Sequence, residues 1–192
     1  MNSHHRQQGT AEIIITPLDA VAREVAQHRR AWVCGLLSPE MADAHPVLPV
    51  PEERRLKLSM HDVNGPRGGY QAASARQVES LLDFARQWWR AAARGEAGPL
   101  VLHCWFGVSR SPAAAFILQC ALRSDEGEMQ LAQELRALAP FATPNARLVA
   151  LADDLLGRGG RMQQAIRTIG RGAETSAGMP FHWPLGDTGR WA

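Results

Sequence analysis

The sequence predicts an α/β fold: a mainly parallel central sheet of four to five strands flanked by helices. Two patterns point to it. In the first hundred residues, short apolar runs of strand length alternate with stretches of helical periodicity, the order that builds crossover units. The later half reads as successive helices. The 192-residue chain has 45% hydrophobic and 21% charged residues, the balance of a chain able to bury a core rather than of a disordered or fibrous one.

Residues 13–16 (Ile-Ile-Ile-Thr) form a β-branched run and read as the first strand. A helix is expected over 18–29, with Thr16 as N-cap, Pro17 at its first position and Asp19 in its first turn. The run 32–37 (WVCGLL) reads as a second, buried strand, 38–55 as a Pro-rich charged loop, and 56–60 (LKLSM) as a short alternating third strand. The Gly-rich stretch after it reads as a mobile loop. Ser74 and Gln77 make a capping box for a long helix whose inner face is Val78, Leu81, Leu82, Ala85, Trp88 and Trp89, with Gly95 as its stop. Residues 100–102 are a fourth strand, short and apolar on both faces, whose connection through a helix points to a parallel pairing. Helices follow over 112–122, about 129–138 and about 144–156. From 158 the composition turns to Gly, Arg and Ser, with one short helix around 162–169. The expected division is a domain over 10–157 and a Gly/Arg-rich C-terminal extension over 158–192, taken as solvated and partly disordered.

A formal charge of +2 is too small to call for a polyanionic partner, so no nucleic acid is expected. The longest apolar stretch, 112–122, is far short of a membrane span. The N-terminus shows no apolar leader, and Cys34, Cys104 and Cys120 are too few and wrongly spaced for a disulfide framework or a zinc site. A cytoplasmic protein with no metal or cofactor is expected, with Cys34 and Cys120 as inert core thiols.

The chemistry lies in His103-Cys104-Trp105-Phe106-Gly107-Val108-Ser109-Arg110-Ser111-Pro112. A strand ends at a cysteine, five residues curl, and a helix starts at an arginine. Such a turn aims successive amides, from Trp105 through Phe106, Gly107, Val108 and Ser109 to Arg110, at one tetrahedral oxyanion. The helix N-terminus adds partial positive charge at the same point, and Pro112 suits a first turn that has spare amides. The same field favours negative charge on the Cys104 sulfur. Arg110 offers a planar fork for two phosphoryl oxygens. A bare C-x5-R arises by chance about 0.3 times in such a chain; Cys34 and Cys120 have Glu40 and Glu126 at the matching place. Adding the flanking His, Gly and Ser lowers chance to the order of 10^-4.

These residues, His103-Cys104-x5-Arg110-Ser111, resemble the signature of the cysteine-dependent protein tyrosine phosphatase superfamily. The HCxxGxSRS form is most similar to its compact dual-specificity-like branch, bacterial members included. The likeness covers about 56–156. It implies Cys104 as nucleophile, Arg110 as phosphate ligand and Ser111 as the hydroxyl that eases departure of the thiolate. Phe106 stands where many relatives have Ala, and its bulk either alters packing beneath the pocket or narrows access to it.

The family's proton donor is an Asp on a loop after a strand, and Asp62 fits that context better than Asp43, on a loop without such a strand exit, or Asp83, within a helix. His61 is a weaker alternative donor. Thr143-Pro144-Asn145 resembles the family's Pro-Asn element, which makes Asn145 a brace for the phosphate loop; an ordinary helix start explains it equally well. His103 is expected to orient the loop by hydrogen bonds, and Ser109 to bond within it. Trp105 either walls the pocket or packs outward.

The expected activity is hydrolysis of a phosphate monoester through a cysteinyl-phosphate, on phosphotyrosine or phosphoserine/threonine protein or on a small phosphomonoester. Inorganic phosphate or sulfate is expected to occupy the same pocket. Two other readings stay open: a rhodanese-like sulfurtransferase, which has no use for an Asp donor, and a catalytically silent phosphate-binding module, which Phe106 keeps in view.

Overall fold

A computed structural model describes residues 11–65 and 67–186; the start of the chain, where no leader was read, lies outside them. Five strands form one sheet: β1 (Glu12–Pro17), β2 (Trp32–Leu37), β3 (Arg55–Ser59), β4 (Leu100–Cys104) and β5 (Phe181–Pro184). Their order is β3-β2-β4-β1-β5, and the first four in sequence are parallel. The α/β class and the mainly parallel sheet are as the sequence predicts.

Both faces of the sheet are covered, which is why its inner strands are mostly apolar on both faces. Ile13, Ile15, Cys34, Leu36, Leu100 and Leu102 face one large core. That core is closed by α2 (Ala75–Ala93), α3 (Arg110–Leu122), α4 (Glu128–Leu138), α5 (Ala146–Leu155) and α6 (Arg161–Ile169). Ile14, Val33 and Val101 face a smaller core, closed by α1 (Val21–Ala26) with Leu48 and Val50. Every residue of α3 is buried, which makes it the central helix of the molecule.

Several boundaries move, each for a tertiary reason. The helix expected over 18–29 is only Val21–Ala26. Pro17 stays in β1 opposite Cys104, and the Leu18 amide is spent on the Trp105 carbonyl at 3.2 Å rather than on a helix start. Thr16 and Pro17 therefore do not open it. Helix α3 begins at Arg110, two residues before the expected start, so Arg110 itself lies in the first turn. Helix α5 begins at Ala146, with Asn145 as its N-cap accepting from the Leu148 amide at 3.0 Å. The capping box of α2 forms, and Gly95 ends that helix at φ +71°. The expected loop 38–55 contains two short 3-10 turns, Pro39–Ala44 and Glu52–Arg54.

The segment from 158 carries its predicted helix, α6, and a strand the sequence did not announce. β5 pairs antiparallel with β1, Ile13 opposite Trp183. Trp183 is fully buried and donates from Nε1 to Glu134 at 3.1 Å, while Gln119 of α3 donates to the Trp183 carbonyl at 3.2 Å. Helix α6 and strand β5 are packed onto the sheet and helices, whereas residues 173–177 between them are exposed.

Candidate active site

The carboxyl end of β4 delivers Cys104, and residues 105–109 turn into α3. Four carbonyls of this turn are held from outside. Trp105 accepts from the Leu18 amide at 3.2 Å, Phe106 from Gly178 at 2.8 Å, Val108 from Thr143 at 2.8 Å, and Ser109 from Asn145 at 3.3 Å. In a trans peptide the next N–H points opposite to the carbonyl. The amides of Phe106, Gly107, Ser109 and Arg110 are thereby turned to the inside of the loop. Among the described residues no amide of 105–109 donates to a protein acceptor.

Gly107 lets the loop close. Its φ is +68°, and a Cβ there would lie 2.8 Å from the Pro17 nitrogen, a backbone atom that cannot step aside. Only glycine meets both demands.

Cys104 is 2% exposed, and its Sγ accepts from the Ser111 hydroxyl at 3.2 Å. Arg110 is buried, and its Nη1 donates to the Met60 carbonyl at 2.8 Å and to Ser38 Oγ at 3.2 Å. That leaves Nε buried without a hydrogen-bond partner among the described residues, 3.9 Å from Asp62 Oδ2. Asp62 comes from a different loop, yet its Oδ1 accepts from Ser109 Oγ at 2.7 Å and from Asn145 Nδ2 at 2.8 Å. Asp62, Asn145, Ser109 and Arg110 thus meet at one edge of the turn. Ser109 was expected to bond within the loop, and its hydroxyl goes to Asp62 instead.

His61 has a different place from the one the sequence suggested. Its Nδ1 accepts from the Gln71 amide at 2.8 Å, and its Nε2 lies 3.0 Å from Glu40. Both ring nitrogens are engaged in holding the loop. Further ties join Asn64 to the Ala146 amide at 3.2 Å and Arg147 to the Ala73 carbonyl at 2.6 Å. Asp62 and Asn64, at the start of the stretch expected to be mobile, are tied to α5 and its N-cap, while residues 67–71 are exposed.

His103 departs from its expected part. Neither ring nitrogen hydrogen-bonds to the loop, and Nδ1 is buried without a partner among the described residues. The ring packs edge-on against His45, centroids 5.8 Å apart. Burial, and secondly the neighbouring His45, pushes its pKa down to about 3, so the ring is neutral. Gly35 makes room for the pair: a Cβ there would be 2.6 Å from both His103 Nε2 and His45 Cε1. Burial pushes the Cys34 and Cys120 thiols up, which keeps them protonated. Trp105 and Phe106 are 38% and 53% exposed and meet edge-on. Phe106 therefore projects at the surface rather than packing beneath the turn.

Nothing in the sequence marks Ser38, Glu40 or the Met60 carbonyl. They lie 72, 21 and 50 positions from their partners Arg110, His61 and Arg110, and a lone Ser or Glu in a loop carries no periodic signal. Among the described residues no three of His, Cys, Asp and Glu are grouped to hold a metal ion.

Comparison with solved structures gives a consistent answer. The chain is similar to the PTP-2 phosphatase of Cydia pomonella at 19% identity, over 74% of this chain and 84% of that one, with a TM-score of 0.57. It is similar to human DUSP28 at 16% identity, over 77% and 95%, with a TM-score of 0.54. Human tyrosine phosphatase-like serine/threonine/tyrosine-interacting protein matches at 14% identity, over 76% and 91%, with a TM-score of 0.56. The fold is that of the protein tyrosine phosphatases. No family model and no curated protein sequence matches the chain. Among the described residues no helix of this phosphatase-like fold is long and apolar enough to cross a membrane.

Proposed function

We propose that the protein hydrolyses phosphate monoesters through a cysteinyl-phosphate intermediate, as a member of the cysteine-dependent phosphatase superfamily with a dual-specificity-like loop. The reading rests on one observation above all. Cys104 Sγ, the inward amides, the Arg110 guanidinium and the Asp62 carboxyl converge on a single turn, although Asp62 is 42 residues upstream of the cysteine.

In the first step the Cys104 sulfur attacks phosphorus, the S–P bond forms and the P–O bond to the leaving group breaks. Asp62 gives its proton to the departing oxygen. Oδ2 suits this role, because Oδ1 is already held by Ser109 and Asn145. In the second step Asp62 takes a proton from water, the water oxygen bonds to phosphorus, and the S–P bond breaks. The Ser111 hydroxyl, 3.2 Å from Sγ, receives the returning thiolate with a hydrogen bond. The amides of 106, 107, 109 and 110, with Arg110, carry the charge on the equatorial oxygens, where most of the rate gain in phosphoryl transfer arises.

The substrate is a phosphotyrosine or phosphoserine/threonine protein, or a small phosphomonoester; no further cation lies between Cys104 and Arg110 to attract a polyphosphorylated lipid headgroup. Three free cysteines fit the reducing cytoplasm. The position of Asp62 counts against a sulfurtransferase. Cys104→Ser is expected to abolish hydrolysis of an aryl phosphate while still binding it, and Asp62→Asn to lower kcat by about 10²–10⁴. Undiminished turnover by Cys104→Ser sinks the mechanism. Phosphate binding without any turnover in the unmodified protein identifies a silent binding module.

A further inference from the structure

Beside the phosphate loop runs a cleft of about 310 Å³ that the reaction does not use. One wall is the turn after β1, with Pro17, Asp19 and Arg23; the other is Gly178, Met179 and Pro180, the strap that leads into β5. The cleft lies close to the nucleophile, since Pro17 in its wall is the register partner of Cys104 on the adjacent strand, one spacing of about 4.8 Å away. Both walls are joined to the loop itself: Leu18 donates to the Trp105 carbonyl, and Gly178 to that of Phe106. A group seated in the cleft is therefore held in fixed relation to the phosphate site.

Surface chemistry says what kind of group. Among the described residues seven large hydrophobic side chains are exposed, and Trp105, Phe106 and Met179 are three of them, Met179 at 71%. Trp105 and Phe106 meet edge-on, and Met179 follows Gly178, whose amide holds the Phe106 carbonyl, so the three neighbour one another in a patch of the kind that marks a binding surface. The volume lies at the lower limit for ligand pockets and suits a single side chain. Asp19 has no ion pair or hydrogen bond among the described residues, and Arg23 stands near it, 3.5 Å from Glu24. An unpaired carboxylate at the rim repels anionic lipid headgroups, whereas a mixed-charge rim around an apolar slot accommodates a polypeptide.

We propose that this cleft is a specificity subsite that takes a large apolar side chain flanking the phosphorylated residue of a peptide substrate. The proposal rests on the phosphatase reading for its substrate, and it makes Met179 a specificity-determining residue. Met179 is exposed, so its replacement leaves the core intact.

The test uses the full chain with two phosphotyrosine peptides, one flanked by Leu and one by Ser, and a small aryl phosphate. The unmodified protein is expected to favour the Leu peptide at least tenfold in kcat/KM, mainly through KM, a discrimination that burial of one side chain supports. Met179→Glu is expected to erase that preference while turnover of the aryl phosphate stays within twofold. Equal use of both peptides, a preference that survives Met179→Glu, or faster hydrolysis of a phosphoinositide in phosphatidylcholine vesicles than of either peptide overturns the proposal. If the aryl phosphate is not hydrolysed at all, the phosphatase reading fails. The Kd values of the two peptides then decide the cleft separately: tighter binding of the Leu peptide upholds it, and equal binding ends it.

Discussion

His103 shows how a single side chain is set by its surroundings rather than by its type. It precedes Cys104, but burial and His45 hold its ring neutral with a pKa of about 3. An unfolded histidine titrates near 6.5. Between those values the unfolded chain binds a proton that the folded one refuses, so this residue's share of stability is complete above about pH 6.5 and falls as pH drops towards 3. The slope approaches about 1.4 kcal/mol per pH unit. Urea unfolding from pH 4 to 8 is expected to show the loss, and His103→Gln to flatten it; an equal slope in the variant removes His103 as the cause. At the same scale Gly35 matters by having no side chain, because the two imidazoles fill its place.

At the scale of elements, β4, the turn and α3 are anchored from both ends of the chain. The end of β1 at Pro17 and Leu18 just after it hold the turn on one side, and the strap before β5 holds it through Gly178. Strand β5 is in turn fixed by Trp183, fully buried, with Nε1 on Glu134 and its carbonyl on Gln119. Glu134 also pairs with Arg123 at 2.7 Å. Trp183→Ala removes a large buried ring and leaves that carboxylate one donor short, a change that costs about 3–5 kcal/mol. Thermal unfolding measures it, and a loss below about 1 kcal/mol would show β5 to be a loosely held edge.

For the whole molecule, the sheet needs cover on both faces and at its β1 edge. α6 rests on α4 and α5, and β5 closes β1. A chain that stops at 157 lacks both. It exposes Ile13 along an unpaired strand and the partners of Met162, Ala165 and Ile166, which are buried in the same core. Such a chain is expected to lose its cooperative melting transition and to aggregate through the open edge. A sharp transition in the 10–157 fragment, read by circular dichroism, would show instead that residues after 157 are an appendage.

The sequence by itself determined what is local. The 103–111 loop, the capping box at Ser74 and the four parallel strands are legible because each is written in adjacent or periodically spaced residues. Asp62 was singled out by the resemblance together with its place at a strand exit, and the fold brings its carboxyl to Ser109 and Asn145. Tertiary structure alone decided that Ser38 and Met60 grip Arg110, that His61 ties its own loop, that Asn145 meets Asp62, and that a Gly-rich stretch ends in a fifth strand. These contacts join groups up to 170 positions apart, as between Glu12 and His182. Each partner lies far outside any stretch that local periodicity or motif spacing spans, so no window of the sequence records which distant group each will find.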